Sequence, residues 1–165
     1  MLRPHRLEDF EPSAALWADE AVVRHISGRP STRELSWSRI LRYIGHWTAL
    51  GYGYWVVREI DTGRFVGEVG FADYRRTMEP SLAGTPELGW VISPDAWGKG
   101  YATEAVKGAI AWAQTGLDSF SRIACIIAPE NLASIRVAEK CGFDLVAETT
   151  YQDLPTLLYD RPIRP

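Results

Sequence analysis

The sequence predicts an α+β fold: a mixed β-sheet with helices on both faces. Three observations carry this. Apolar residues recur at helical spacing up to about residue 50, then switch to strand-like runs after Gly51 and Gly53. The stretch from Glu87 to Ala128 reads strand–helix–strand, which implies a right-handed parallel crossover. The run R-I-A-C-I-I-A at 122–128 is almost wholly apolar, as a strand covered on both faces should be. With 165 residues, no repeat and no linker-like break, one domain over 1–165 is expected.

The elements follow in order. Residues 7–26 read as a helix, with Phe10, Ala14, Trp17, Ala18, Ala21 and Val22 at three- and four-residue spacing. Pro12 falls in its first turn, where proline is tolerated. G-R-P at 28–30 breaks the chain, and Ser31 with Glu34 forms a capping box for a second helix to about Leu50. Strands at 54–60 and 65–73 flank a D-T-G turn and read as a hairpin. Residues 76–86 hold Pro80, Gly84 and Pro86 and read as a loop. A strand at 87–92 ends at Ser-Pro, and a helix runs from Tyr101 to about Thr115. After the strand at 122–128, Asn131 caps a short helix that ends at Gly142. Strands near 143–151 and 156–161 close the chain.

Composition excludes several classes. A net charge of −3 gives no footprint for duplex nucleic acid. Apolar runs are too short to span a bilayer, so no membrane partner is expected. The N-terminal stretch has no apolar core of signal-peptide length, so the expected location is cytoplasmic. Cys125 and Cys141 are not at metal-cage spacing and sit among apolar residues, as buried thiols do. His5, His25 and His46 are scattered, so no metal is expected. Seven tryptophans and seven tyrosines point to aromatic core packing, or to the walls of an apolar substrate slot.

The motif with chemical content is W-G-K-G-Y-A-T-E-A at 97–105. A helix mouth presents unpaired N–H groups and a partial positive charge, which an anion satisfies. Glycines at 98 and 100 let the backbone come close to a phosphate, and Lys99 adds a charge. A plain turn also accommodates G-x-G. Thr103 stands where a dinucleotide fingerprint needs its third glycine, and Lys99 precedes the glycine it should follow in a P-loop.

A second motif, P-E-N-L-A-S-I-R-V-A-E-K-C-G-F at 129–143, lies one strand downstream. Together with E-L-G-W-V-I-S-P-D-A-W-G-K-G-Y-A-T-E-A it resembles the Gcn5-related N-acetyltransferase (GNAT) family, and within it the ribosomal-protein N-terminal acetyltransferase branch. The resemblance covers nearly the whole chain. It implies a strongly twisted mixed sheet of six or seven strands, splayed in a V between the strands at 87–92 and 122–128. It implies acetyl-CoA as cosubstrate, its pantetheine arm bonded to backbone around Val91, Ile92 and Ser93. The pyrophosphate would rest on amides from Trp97 or Gly98 through Lys99, Gly100 and Tyr101 to Ala102. Thr103 would add a hydroxyl or merely cap the first turn. Asn131 would reach the pantetheine while capping its helix, and Ser134 would face the same cleft.

The implied reaction is direct acetyl transfer to an amine, which needs a base, an oxyanion donor and an acid. Glu87, opening the central strand, is the first candidate base, and Glu68 on the neighbouring strand the second; either can instead be an ion-paired carboxylate. Many family members carry a tyrosine seven residues after the motif asparagine; here that position is Ala138, so Ser134 becomes the candidate acid. Asp95 replaces the basic or glutamine start of the family's glycine motif. The rim would include Arg24, His25, Trp37, Tyr74, Arg75 and Arg76, a mixture poor for a polycation. It suits a peptide or small-molecule amine. Two rival readings remain: a non-catalytic acyl-CoA-binding module, and a different nucleotide-phosphate protein. A homodimer through a sheet edge is compatible with all three.

Overall fold

The structure, a computed structural model, describes residues 1–164. Seven strands form one sheet: β1 (Leu2–Pro4), β2 (Tyr54–Arg58), β3 (Phe65–Ala72), β4 (Glu87–Ile92), β5 (Arg122–Ile127), β6 (Asp144–Tyr151) and β7 (Leu154–Pro162). Their spatial order is β1-β2-β3-β4-β5-β7-β6. Every neighbouring pair is antiparallel except β4 with β5. Helices α1 (Phe10–Ala18), α2 (Glu20–Val23) and α3 (Arg33–Leu50) precede β2, α4 (Tyr101–Gly116) links β4 to β5, and α5 (Leu132–Lys140) follows β5.

Side chains alternate along a strand, so β3 offers each face a different set. Val69 and Phe71 join Leu88, Trp55 and the Ala105, Val106 and Ala109 stripe of α4 in the main core. Val91 packs on the other face with Leu16 and Trp17 of α1 and with Val22 and Val23. Tyr43 of α3 stacks on Tyr54, with ring centroids 4.3 Å apart. Helices therefore cover both faces, as the sequence predicts. The tryptophans are used as packing: Trp47, Trp55 and Trp112 meet edge to face at 5.0–5.4 Å. Both cysteines are buried and free, and burial raises both thiol pKa values.

The helix expected over 7–26 is three pieces. A 3₁₀ turn at Leu7–Asp9 leads into α1, and Asp19 then adopts an extended conformation and breaks the run. Its carboxylate accepts the N–H groups of Ala21 and Val22 and starts α2 afresh. The second helix is capped by Thr32, which accepts from Leu35 N at 3.2 Å, not by Ser31. Strand β1 is absent from the sequence reading, because three residues are too few to show a period. It is pinned by Asp9, whose carboxylate accepts from Arg3 twice at 2.7 Å, from Arg58 at 2.9 Å and from Arg6 N at 2.9 Å. Burial pushes the Asp9 pKa up, but these bonds outweigh it and hold the group at about 2.

The sheet parts in the middle. Strand β4 pairs with β3 from Glu87↔Ala72 through Ile92↔Gly67. Strand β5 pairs with β7 from Arg122↔Pro162 through Ile127↔Leu157. Between them, β4 and β5 meet only at Glu87↔Ala124, where Ala124 N donates to Pro86 O at 3.1 Å. Beyond that point the two strands diverge, and the inner edge of β4 is left unpaired.

Candidate active site

The direction of each β4 backbone group follows from ladder geometry. In an antiparallel pair, successive residues point their N–H and C=O alternately toward and away from the partner. Ser93 N donates to Val66 O at 2.8 Å, so Ser93, Val91 and Gly89 face β3. Leu88, Trp90 and Ile92 face the gap. This corrects the expectation for the pantetheine wall. The backbones of Val91 and Ser93 are engaged with β3, and Ser93 lines neither cavity described below. Trp90, absent from the sequence reading, and Ile92 present the open groups. The Trp97 indole already donates to Ile92 O at 2.7 Å.

At the far end of β4 lies the mouth of α4. Gly98 has φ +72° and Gly100 has φ +85°, backbone conformations that L side chains rarely adopt. Among the described residues, no protein acceptor takes the N–H groups of Gly98, Lys99, Gly100, Tyr101, Ala102 or Thr103. The first helical bond there is Glu104 N to Gly100 O at 3.0 Å. Trp97 is a correction, because its N–H is used by Pro94 O at 3.1 Å. Lys99 is a second: its ammonium folds back onto Asp95 O at 2.8 Å, and it lines neither cavity. The Tyr101 hydroxyl donates to Glu59 at 2.7 Å, which ties α4 to the end of β2.

A cavity of about 740 Å³ runs from this mouth along β4 to α5. Gly98, Gly100, Ala102 and Thr103 line one end, and Trp90, Val91 and Ile92 one wall. Asn131 and Ser134 line the other wall. The Asn131 Oδ1 accepts from Ser134 N at 3.1 Å, so the cap uses one end of the amide and leaves the Nδ2 donors free. Ala138 is fully buried in the main core and faces away from the cleft.

A second cavity, about 470 Å³, continues toward α3 and the β6–β7 turn. The two share His25, Ile26, Trp90, Val91, Asn131 and Ser134, which marks their junction. Tyr43, Tyr54 and Tyr74 make an aromatic wall. The Tyr54 hydroxyl sits on the β4 backbone where a Cβ on Gly89 would come within 2.0 Å of it, so only glycine fits there. Arg76 lies between Tyr74 and Tyr151, its guanidinium 4.6 and 4.7 Å from their ring centroids.

The two carboxylates expected as bases are both committed. Glu87 lines the second cavity, but its oxygens accept from Arg76 Nε at 2.6 Å and Nη2 at 2.8 Å. That fork-to-fork pair makes it a held anion, and it raises the Arg76 pKa against the cost of burial. Glu68 is fully buried and lines neither cavity. It accepts from Ser13 Oγ at 2.6 Å and Trp17 Nε1 at 2.8 Å, with His5 Nε2 at 3.9 Å. Glu87 opens the central strand and Glu68 is a charge inside its neighbour; Trp17 lies 51 residues from Glu68 and Arg76 11 residues from Glu87, and only the fold brings each pair together. His25, expected only at the rim, lies at the junction, and Arg39 and Tyr54 join the site without any motif in the sequence to mark them. Trp37 and Arg75, also expected at the rim, line neither cavity.

A mixed sheet parted at its one parallel junction, with open helix-mouth amides beside the parting, defines an acetyltransferase architecture. Comparison with known proteins gives the same class. Residues 1–144 match the family described as Acetyltransferase (GNAT) domain, and the chain belongs to that family. An uncharacterized N-acetyltransferase of Bacillus licheniformis, p20, is 28% identical over 145 residues, covering 86% of this chain and 77% of its own. A solved GnaT-family acetyltransferase from Bordetella pertussis is 27% identical, with a TM-score of 0.83 over 97% of this chain and 93% of its own. Spermidine N-acetyltransferase from Vibrio cholerae, solved with CoA and spermine, shares the fold at 18% identity, with a TM-score of 0.77 over 98% of this chain and 94% of its own. Among the described residues there is no cluster of metal-ligating side chains, and no helix is long and apolar enough to cross a membrane.

Proposed function

We propose that this chain transfers the acetyl group of acetyl-CoA directly to a primary amine, on a small molecule or a peptide N-terminus. The observation that carries this is the joining of two features: β4 and β5 pair only at Glu87↔Ala124, and six consecutive amides stand open where β4 leads into α4. Those amides suit a pyrophosphate. The gap-facing groups of Trp90 and Ile92, with the Asn131 Nδ2, suit the amides of the pantetheine arm.

Acetyl-CoA supplies an activated thioester. The chain's own work is to place it and to manage two protons. The Trp90 N–H faces the gap without a protein partner and is the donor available to the acyl oxygen. His25 takes the proton of the incoming ammonium, since Glu87 and Glu68 are both held by other residues. Ser134, on the lining of both cavities, relays a proton to the departing sulfur: its hydroxyl takes the second proton shed by the nitrogen as it passes its own to the thiolate, so the serine ends neutral. Positioning of amine against thioester supplies much of the rate.

The test is release of free CoA thiol from acetyl-CoA across a panel of primary amines. Amine-dependent release is expected, and His25→Gln should lower kcat. Tight CoA binding with no turnover of any amine would instead select the non-catalytic acyl-CoA-binding reading.

A further inference from the structure

We infer that the acceptor amine carries an oxyanion, a carboxylate in the simplest case, and that Arg39 and Arg42 on α3 hold it. This rests on the transfer reading above and narrows its substrate.

The second cavity is lined by Arg39, Arg42 and Arg76, and among the described residues by one acidic side chain, Glu87. Glu87 is matched to Arg76 by two hydrogen bonds. Among the described residues, Arg39 and Arg42 have no carboxylate within 4.0 Å. The other nearby anion, Glu68, is sealed behind the Trp17 indole. The cavity wall is therefore two positive charges in excess.

Arg39 is the more informative of the two. Its guanidinium lies 3.6 Å from the Trp17 ring centroid, and its Nη2 donates to Ser31 Oγ at 3.1 Å. Its Nη1 is buried with no protein partner. Burial lowers the guanidinium's pKa from its usual value, and the Coulombic pull of Tyr43 and Glu68 does not make up the cost of withdrawing the cation from water. Arg39 lines the cavity, and a guanidinium there that lacks a matching acceptor is one that a ligand anion completes. Arg42 is exposed and lies 5.4 Å from the Tyr74 ring centroid, at the same wall. A guanidinium fork matches the two oxygens of a carboxylate or phosphonate, and the aromatic wall takes the carbon skeleton between anion and amine. A polyamine would instead bring a second ammonium against unneutralised arginines.

One chemistry, an amine and an oxyanion on one short skeleton, can come from a free amino acid or from a peptide N-terminus with an acidic second residue. The experiment separates them. Initial rates with acetyl-CoA are compared across ω-amino acids and their carboxamides, and across dipeptide amides that differ only in Asp or Lys at the second position. The expected result is a kcat/KM preference of at least roughly tenfold for the anionic member in one of the two series, the scale of one charge-assisted hydrogen bond. Whichever series shows it identifies the source. Arg42→Gln and Arg39→Gln should each pull that ratio toward one. Arg42 is exposed, so its variant reads out even if Arg39→Gln fails to fold. Equal or better use of the carboxamides and of the Lys dipeptides, with no anionic preference in either series, overturns the inference and leaves the transfer reading standing. Binding of CoA with no amine turned over overturns the transfer reading, and this inference with it.

Discussion

The two cavities that meet at Trp90 and Ser134 are built of different material. The half we propose for the cofactor is mostly backbone: six successive amides at the mouth of α4 and the unpaired inner edge of β4. The half we propose for the acceptor is side chains from separate segments: Trp17, Arg39 and Tyr43, Tyr54, Tyr74 and Arg76, Glu87 and Tyr151. Backbone donors stay in place under most substitutions, because φ values and helix position set them. A wall of side chains changes with each substitution. Within one fold, the first half can stay generic while the second sets the acceptor.

The sharpest way to separate the halves is Glu87→Gln. It leaves Arg76 partly buried between two tyrosines with no counter-charge, which costs about 3 kcal/mol or more when one partner of a buried pair is removed. A fall in melting temperature of roughly 6–12 °C is expected for a chain of this size. CoA affinity, measured by calorimetry, should move by less than about twofold, since the cradle shares no contact with the pair. A large loss of CoA affinity would show that the halves are one coupled unit.

Gly100→Asp is the converse. Asp tolerates a positive φ better than most residues, and a negative charge at a helix mouth favours the helix, so the fold should hold. The same charge sits where the pyrophosphate would lie. CoA Kd should rise by at least about 100-fold, or about 2.7 kcal/mol. An unchanged Kd would remove the cradle from the binding site.

The same contrast explains what the sequence reveals. The cradle is a contiguous motif, so W-G-K-G-Y-A and the Asn131 cap are visible without any structure. Glu87 and Glu68 sit on the strands expected of them, but Trp17 lies 51 residues from Glu68, and Arg76, 11 residues from Glu87, stands in a loop without a period. Arg76 reaches Glu87 across the 73–86 loop, and Trp17 reaches Glu68 from α1. Sequence pattern gives the face of a strand, not what the facing helix brings to it. The break at Asp19 is hidden in the sequence for a related reason: periodicity continues through it, and only the local bonds its carboxylate accepts stop the helix. Trp90 is recoverable in principle, because ladder alternation orients β4 once the register with β3 is known.

Asp9 is a control outside both halves. Its folded pKa of about 2 lies below the value of about 4 expected for an unfolded chain. A depressed carboxylate contributes stability that is present above pH 4 and is lost as pH falls toward 2. Because Arg3 and Arg58 are partly exposed, Asp9→Asn should cost only about 1–2 kcal/mol at neutral pH. It should also flatten the acid limb of urea midpoints between roughly pH 4 and 2. Neither CoA affinity nor acceptor selectivity should change; a change in either would tie the β1 edge to the cleft.

Ser134→Ala tests the junction itself and carries the smallest expected effect. Among the described residues the hydroxyl has no partner, and Asn131 caps α5 through the backbone N–H of residue 134, which alanine keeps. Stability should therefore be unaffected, and so should CoA affinity if the phosphates and pantetheine are held by backbone and Asn131. A thiolate is a good leaving group, so loss of a proton donor beside it should lower kcat only about tenfold, near 1.4 kcal/mol. Ala138 offers no substitute, being closed inside the core. If kcat is unchanged, water delivers that proton, and the meeting point of the two cavities is a passage rather than a working group. If Kd for CoA rises with the fall in kcat, Ser134 belongs to the cofactor half, and the boundary between generic backbone and specific side chains lies further toward α3.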